Sequence, residues 1–266
     1  MDPTKIVRIK QAIRNNFDSS GDPYEDFETK HEFFQMLTER ILANMKLPQR
    51  ADILDVGCGT GASCRAILRA LPLARVWGLD ISRAMLEKAK QHLGDEERLI
   101  LVEGDAARLT EYFTQPFDAV IYAASIFLIP DYRESLRQSW GLLQEGGSVG
   151  LTFMDGVYDP QGRNLLQIAD QAAGEGVSLK KPVQWSELEM FVSEIFPVHR
   201  IWQERFLISL DVLRDFFSVP AMSAGLFPGL PYSERVRKVK RLFDHLISHE
   251  TLFSWMFVVG KKLSSP

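Results

Sequence analysis

Three aspartates and one run of glycines hold the chemistry that can be read most directly from this 266-residue chain. The glycines stand in Gly57-Cys58-Gly59-Thr60-Gly61, directly after the apolar run Ile53-Leu54-Asp55-Val56. Glycines between a strand and a helix let the backbone turn sharply and let a ligand approach it with no Cβ in the way. Gly57, Gly59 and Ala62 also satisfy the spacing of the dinucleotide fingerprint, so the loop alone leaves a nicotinamide dinucleotide open. Asp80 ends a second apolar run about 20 residues further on, where a carboxylate can accept from both hydroxyls of a ribose. Asp105 follows Gly104 at the end of a third run and can accept from an exocyclic adenine amine. Asp55, just upstream of the glycines, and Asp105 are acids for which a dinucleotide site has no evident use.

These residues need a frame that brings distant chain segments to one edge. Short apolar runs at Ile53–Val56, Arg75–Leu79, Leu99–Val102, Phe117–Tyr122 and Ser148–Phe153 alternate with helical patterns at Ala62–Leu71, Met85–Leu93 and Ser135–Leu143. Strands apolar on both faces and separated by helices predict a parallel sheet covered on both sides. The last of these helices is expected to stop at Gly146-Gly147. Two helices are expected before the sheet, one with Ile6, Ile9, Ile13 and Phe17 on a face and one from Phe33 to Met45, joined by a loop from Asp18 to Tyr24. Beyond Asp155 the pattern predicts helices at Leu165–Ala173 and Ser186–Ile195, then strands at Val198–Ser209 and Trp255–Val259 that pair antiparallel at one edge. Between those strands, Asp211–Ser248 is too long for a hairpin connection and reads as an inserted cap of two apolar helical segments around Pro220–Pro231. The expected architecture is α/β, doubly wound and Rossmann-like, with a mostly parallel seven-stranded sheet. Its divisions are an N-terminal helical lid (1–48), a cofactor-binding core (49–210), a helical cap (211–250) and a last strand with tail (251–266).

Taken in order, the strand ends resemble the class I S-adenosylmethionine-dependent methyltransferases over roughly Ile53 to Phe153, and among them the ubiquinone/menaquinone group. Asp55-Val-Gly57-Cys58-Gly59-Thr60-Gly61 is similar to that family's first motif and Gly78-Leu79-Asp80-Ile81-Ser82 to its second-strand acid. Glu103-Gly104-Asp105-Ala106 resembles the adenine-side motif, Phe117-Asp118-Ala119-Val120 the fourth strand, and Leu142–Gly147 the turn before the fifth. The resemblance implies that S-adenosylmethionine is the cofactor. It implies that the loop Gly57–Gly61 contacts the methionine half, Asp80 the ribose, Ile81 and Met85 the adenine surroundings, and Asp105 with Ala106 the adenine edge, with Asp55 and Gly104 also among the cofactor-binding residues. Ala123, just past the fourth strand, would lie near the sulfonium.

Methyl transfer from a sulfonium is an in-line displacement, so a protein has mainly to align the acceptor and keep water out. Asp155 and Tyr158 are expected past the fifth strand, at the ligand-binding edge, and are candidates for substrate contact or proton removal. Tyr24 is expected to close over cofactor or acceptor, and Phe216, Met222 and Phe227 of the cap to line an acceptor pocket, with Phe217, Leu226 and Leu230 beside them. These favour a small, partly hydrophobic acceptor. A protein that binds the cofactor without transferring its methyl group, or one that methylates protein or nucleic acid, remains the alternative.

The net charge of −4 and pI of about 5.8 disfavour a nucleic-acid partner. With 45% hydrophobic and 25% charged residues the composition is that of a globular protein. The two cysteines and an N-terminus without a long apolar stretch indicate the cytoplasm, and no membrane span is legible. No metal is expected: His245 and His249 stand four apart, but no glutamate accompanies them as in a zincin. The run Arg235–Arg241 reads as the solvated face of a helix whose other face is apolar. Oligomeric state is not encoded in any motif.

Overall fold

The structure, a computed structural model, describes residues 2–246 and 250–263. Three helices precede the sheet: α1 (Pro3–Asp18), α2 (Gly21–His31) and α3 (Phe33–Leu42). The expected loop from Asp18 to Tyr24 shrinks to Ser19-Ser20, and Tyr24 is helical. Pro23 signals a loop in the sequence, yet it falls in the first turn of α2, where proline has no intrahelical N–H to lose. The break between α2 and α3 is a single left-handed residue, Glu32. The buried Glu28 carboxylate closes it by accepting from the N–H groups of Phe34 and Gln35 at 2.9 and 2.8 Å.

The core then runs β1 (Asp52–Val56), α4 (Ala62–Ala70), β2 (Arg75–Asp80), α5 (Arg83–Leu93), β3 (Leu99–Glu103), the short α6 (Leu109–Tyr112), β4 (Phe117–Tyr122), α7 (Tyr132–Leu142) and β5 (Leu143–Tyr158). α8 (Leu165–Ala173), α9 (Trp185–Ile195) and β6 (Val198–Ile208) follow. α10 (Leu210–Ser218), α11 (Pro220–Leu226) and α12 (Tyr232–Asp244) lead to the final strand β7 (Thr251–Lys261). The sheet has seven strands in the order β3-β2-β1-β4-β5-β7-β6, parallel except that β7 runs antiparallel to both neighbours. The doubly wound α/β expectation is met, and so is the antiparallel pair at the edge. From β1 the chain first winds outward through β2 and β3, then returns to place β4 on the other side of β1, which opens a crevice at the carboxyl ends of β1 and β4.

Three expectations need correction. Gly146-Gly147 does not stop a helix, because α7 ends at Leu142 and β5 begins at the next residue. A Cβ on Gly147 would lie 2.9 Å from Gln144 O and 3.1 Å from Phe117 O, so the glycines serve the irregular start of the β4–β5 pairing. β5 also runs on past Phe153, and Asp155 and Tyr158 lie inside it, held by β7. The insertion before β7 holds three helices rather than two, since Pro220 takes the first position of α11, a place that suits its fixed φ.

Aromatic packing joins these parts. Phe33 of α3 stacks on Phe253 of β7 at 5.2 Å, and Phe216 of α10 meets the same ring edge-on at 5.2 Å and Phe27 of α2 at 5.5 Å. Helices before the first strand and before the last thus share one aromatic cluster. Among the described residues no helix is long and apolar enough to cross a membrane.

α3 presses directly on β5 at Gly150, where a Cβ would run into Ile41 Cγ2 and sit 3.1 Å from Met45 Sδ. Gly150→Ala is expected to lower unfolding free energy by about 1–3 kcal/mol through overpacking. Gly141→Ala on α7, where a Cβ meets nothing within 4 Å, is expected to leave stability unchanged or raise it by up to about 1 kcal/mol. Urea unfolding of both variants checks the pair, and equal effects would show that α3 is not held to the sheet at this point.

Candidate functional site

The glycine turn is shaped by two close approaches. Gly57 has φ +78°, and a Cβ there would lie 2.5 Å from the Cβ of Ser125, at the end of β4. Gly61 has φ +90°, and its Cβ would meet Leu93 Cδ1 at 2.6 Å. Both positions therefore require glycine for conformation and for space. The loop's N–H groups are used internally: Gly57 and Cys58 donate to Leu79 O at 2.7 and 3.1 Å, Gly61 to Cys58 O at 3.0 Å, and Gly59 to Asp80 Oδ2 at 2.9 Å. The loop offers a ligand a bare backbone surface more than a set of donors.

A cleft of about 730 Å³, counted out to its open mouth, lies over this turn. Gly57 and Gly59 line it, with Leu79, Asp80 and Ile81 from the end of β2, Gly104, Asp105 and Ala106 from the end of β3, and Ala123, Ala124 and Ser125 from the end of β4. Four strand ends expected to converge do converge. Asp80 is buried, and desolvation pushes its carboxyl up to about 6, against hydrogen bonds from Ser82 N and Gly59 N. Asp105 caps the following turn through Ala107 N at 3.0 Å and accepts from Lys10 Nζ at 2.6 Å. Lys10 also pairs with Asp131 at 2.5 Å, so α1 is strapped across the ends of β3 and the segment before α7.

Other expected cofactor residues stand behind the cleft. Asp55 is fully buried under the loop, where Ser63 Oγ and Cys64 Sγ donate to its Oδ2 while its Oδ1 has no protein partner. Desolvation raises this carboxyl to about 6. Cys58 and Gly61 shape the turn from inside, and Met85 is buried in the first turn of α5; none of the three lines the cleft. Tyr24 does line it, stacked on Phe34 at 4.8 Å and 5°, with Lys10, Ile13 and Phe17 of α1 completing the wall. Sequence reasoning missed Ile13 and Phe17 as site residues because an apolar stripe at helical spacing reads equally as core, and Lys10 because nothing near it in the chain marks it. Ala124 was missed as well. It has φ +55°, an uncommon conformation for a residue with a Cβ, fixed by its N–H donating to Thr152 Oγ1 at 2.8 Å.

A second cleft, about 1170 Å³ by the same measure, adjoins the first, and Leu128 and Met222 line both. Phe216 lines it as expected, and so do Phe217 and Leu226. Phe227 does not; it is buried within the insertion under Lys238, whose Nζ lies 5.3 Å from the ring centre. Asp155 is on the wall of this cleft, its Oδ2 accepting from Ser254 Oγ at 2.9 Å and Gln203 Nε2 at 3.1 Å. Tyr158 lies outside both clefts, with the Arg205 guanidinium 5.9 Å from its ring centre. His245 is exposed at the end of α12, and His249 lies outside the described residues.

Residues 53–147 match the family model described as a methyltransferase domain. Over 149 residues the chain is 29% identical to trans-aconitate 2-methyltransferase of Variovorax paradoxus, covering 56% of this chain and 54% of that protein. Over 143 residues it is 30% identical to demethylmenaquinone methyltransferase of Staphylococcus aureus, covering 53% and 59%. The chain thus spans little more than half the length of the curated relatives it matches. The fold is similar to that of phosphoethanolamine N-methyltransferase 2 of Haemonchus contortus, solved with phosphomonomethylethanolamine and S-adenosylhomocysteine, with a TM-score of 0.54 and 22% identity over 85% of this chain and 52% of that one. The stretch from β1 to the start of β5, where the converging strand ends lie, thus matches a methyltransferase domain.

Proposed function

We propose that this chain binds S-adenosylmethionine in the first cleft and transfers its methyl group to a small, partly hydrophobic molecule held in the second. The observation that carries this reading is the junction of the two clefts: one is built from the strand ends of the cofactor motifs, the other is largely apolar, and Leu128 and Met222 belong to both. The relatives named above act, by their names, on small molecules, which supports the same class of acceptor.

The residues present fit the cofactor. A Cβ at Gly57 would strike the Ser125 side chain, so the turn stays bare backbone where the methionine half would lie, and Asp80 keeps lone pairs beyond its two backbone bonds for ribose hydroxyls. Ile81 and Ala106 offer apolar contact for adenine, and Asp105 shares its carboxylate between Lys10 and the adenine edge. Bound there, the cofactor supplies a methyl group on a sulfonium with a thioether as leaving group. What the chain itself contributes is alignment at Ala123 and Ala124 and exclusion of water by α1, Tyr24 and the helices before β7, acting as lid and cap. Asp155 holds β7 through Ser254 and Tyr158 lines neither cleft, so neither is assigned proton removal.

Calorimetry with S-adenosylmethionine and S-adenosylhomocysteine is the first test, and absence of binding by both overturns the reading; binding with no labelled methyl delivered to any acceptor in a metabolite library limits it to a binding protein. Asp80→Ala is expected to weaken S-adenosylhomocysteine by about 1–3 kcal/mol, the cost of removing a charged acceptor, and unchanged affinity in the folded variant removes Asp80 from the ribose.

The acid–base prediction has a defined sign. Burial raises the Asp80 carboxyl to about 6, so in the free protein the proton competes with ligand hydroxyls for the carboxylate oxygens. Affinity is expected to be flat above about pH 7 and to fall toward tenfold per pH unit below about pH 6. Asp80→Asn is expected to flatten that profile, and a profile that persists in the variant assigns the titration to another group.

A further inference from the structure

The second cleft contains a cation that forms no contact ion pair with its own walls among the described residues. Its lining is dominated by rings and aliphatic chains, among them Phe127, Phe153, Trp185, Phe216 and Phe217, and its charged residues are Asp155, Lys180 and Lys181. Lys181 comes from the loop between α8 and α9. Its Nζ donates to Met154 O and, at 2.7 Å, to Asp155 O, and lies 5.0 Å from the ring centre of Phe153. Among the described residues it forms no ion pair, and the Asp155 carboxylate on the same wall is committed to Ser254 and Gln203. Lys180 is exposed.

An ammonium has three donors, and two carbonyls leave one unused. A partly desolvated cation without a contact ion pair is costly, and burial pushes Lys181 down to about 8, an effect that the attraction of the nearby Asp155 offsets only in part. An anionic oxygen entering beside it would be a charge-assisted partner in an apolar setting, where such a bond is stronger than at a surface. The surrounding rings suit a flat body attached to that oxygen.

We propose that the second cleft selects acceptors that combine a flat apolar body with one anionic oxygen, and that Lys181 is the residue that pairs with that oxygen. The assignment of the occupant as methyl acceptor rests on the function proposed above; the pairing itself does not. Discrimination follows from the same geometry, because a neutral occupant leaves the ammonium unanswered and a cationic one repels it.

The competing account is a structural one: Lys181 merely clamps the irregularity of β5 between Met154 and Gly156. Three probes of one shape separate the two, namely 2-naphthoate, 2-naphthamide and 2-naphthylmethylammonium, titrated calorimetrically into the whole protein with and without S-adenosylhomocysteine. Naphthoate is expected to bind about tenfold or more tightly than the amide, and the ammonium compound most weakly. Lys181→Met is expected to bring naphthoate and naphthamide to within about twofold while leaving S-adenosylhomocysteine affinity unchanged; should that variant fail to fold, Lys181→Arg is expected to keep the preference. In the wild type the preference is expected to shrink between about pH 7 and about pH 9.5, as Lys181 loses its proton. Equal affinity for the acid and the amide, a preference that survives Lys181→Met, or one that is independent of pH overturns the proposal. A Lys181-dependent preference without S-adenosylhomocysteine binding would sustain the pairing and remove the methyltransferase reading; cofactor binding without any preference would do the reverse.

Discussion

The carboxylate of Asp80 is the brace on which the first cleft depends. Its two oxygens accept from Gly59 in the glycine turn and from Ser82 at the start of α5, so one side chain ties the end of β2 to the loop after β1 and to the next helix. Ser82 passes the connection on through its hydroxyl, which donates to Asp18 Oδ1 at 2.6 Å at the end of α1. Sheet, loop and N-terminal helix are thereby registered through a single buried acid. The cost is a carboxylate held in low dielectric, and its raised protonation tendency follows directly from that position.

The remainder of the binding region is built by apposition of helices on a sheet whose carboxyl edge is already ordered. Phe33, Phe253 and Phe216 bring α3, β7 and α10 together, which fixes the insertion before β7 against the helices before β1. Met222 of α11 then reaches both clefts, and Ala221 N donates to Ser20 Oγ at 2.9 Å between α1 and α2. The second cleft is consequently made from segments far apart in the chain, while the first is floored by successive strand ends and walled by α1, Tyr24 and Met222.

That difference explains what could be read from the sequence. The sheet, its strand ends and the insertion before β7 were legible because apolar runs and glycine turns are local signals. Gly57, Asp80, Asp105 and Ala123 could be named for the same reason. Asp55, Cys58 and Gly61 were named for direct contact and instead hold the turn from behind, a distinction that spacing along one strand does not encode. Tyr24 was expected on a loop because proline and glycine near it are turn formers, whereas the first turn of a helix tolerates both. Lys10 and Lys181 had no local signal at all: each becomes informative only through partners in distant segments, Asp105 and Asp131 for one, the carbonyls at the end of β5 for the other.

The Lys10 strap makes α1 part of the wall of the first cleft. A helix that lies outside the sheet is ordinarily a forgiving place for change. Here, removal of the first eighteen residues takes away the cation shared by Asp105 and Asp131 and the wall formed by Ile13 and Phe17, leaving two partly buried acids without their common partner. A shortened protein would retain every sheet strand and glycine of the fold while presenting a more acidic, more open cleft. Comparisons of natural or engineered versions that differ only in this helix are therefore comparisons of the site itself.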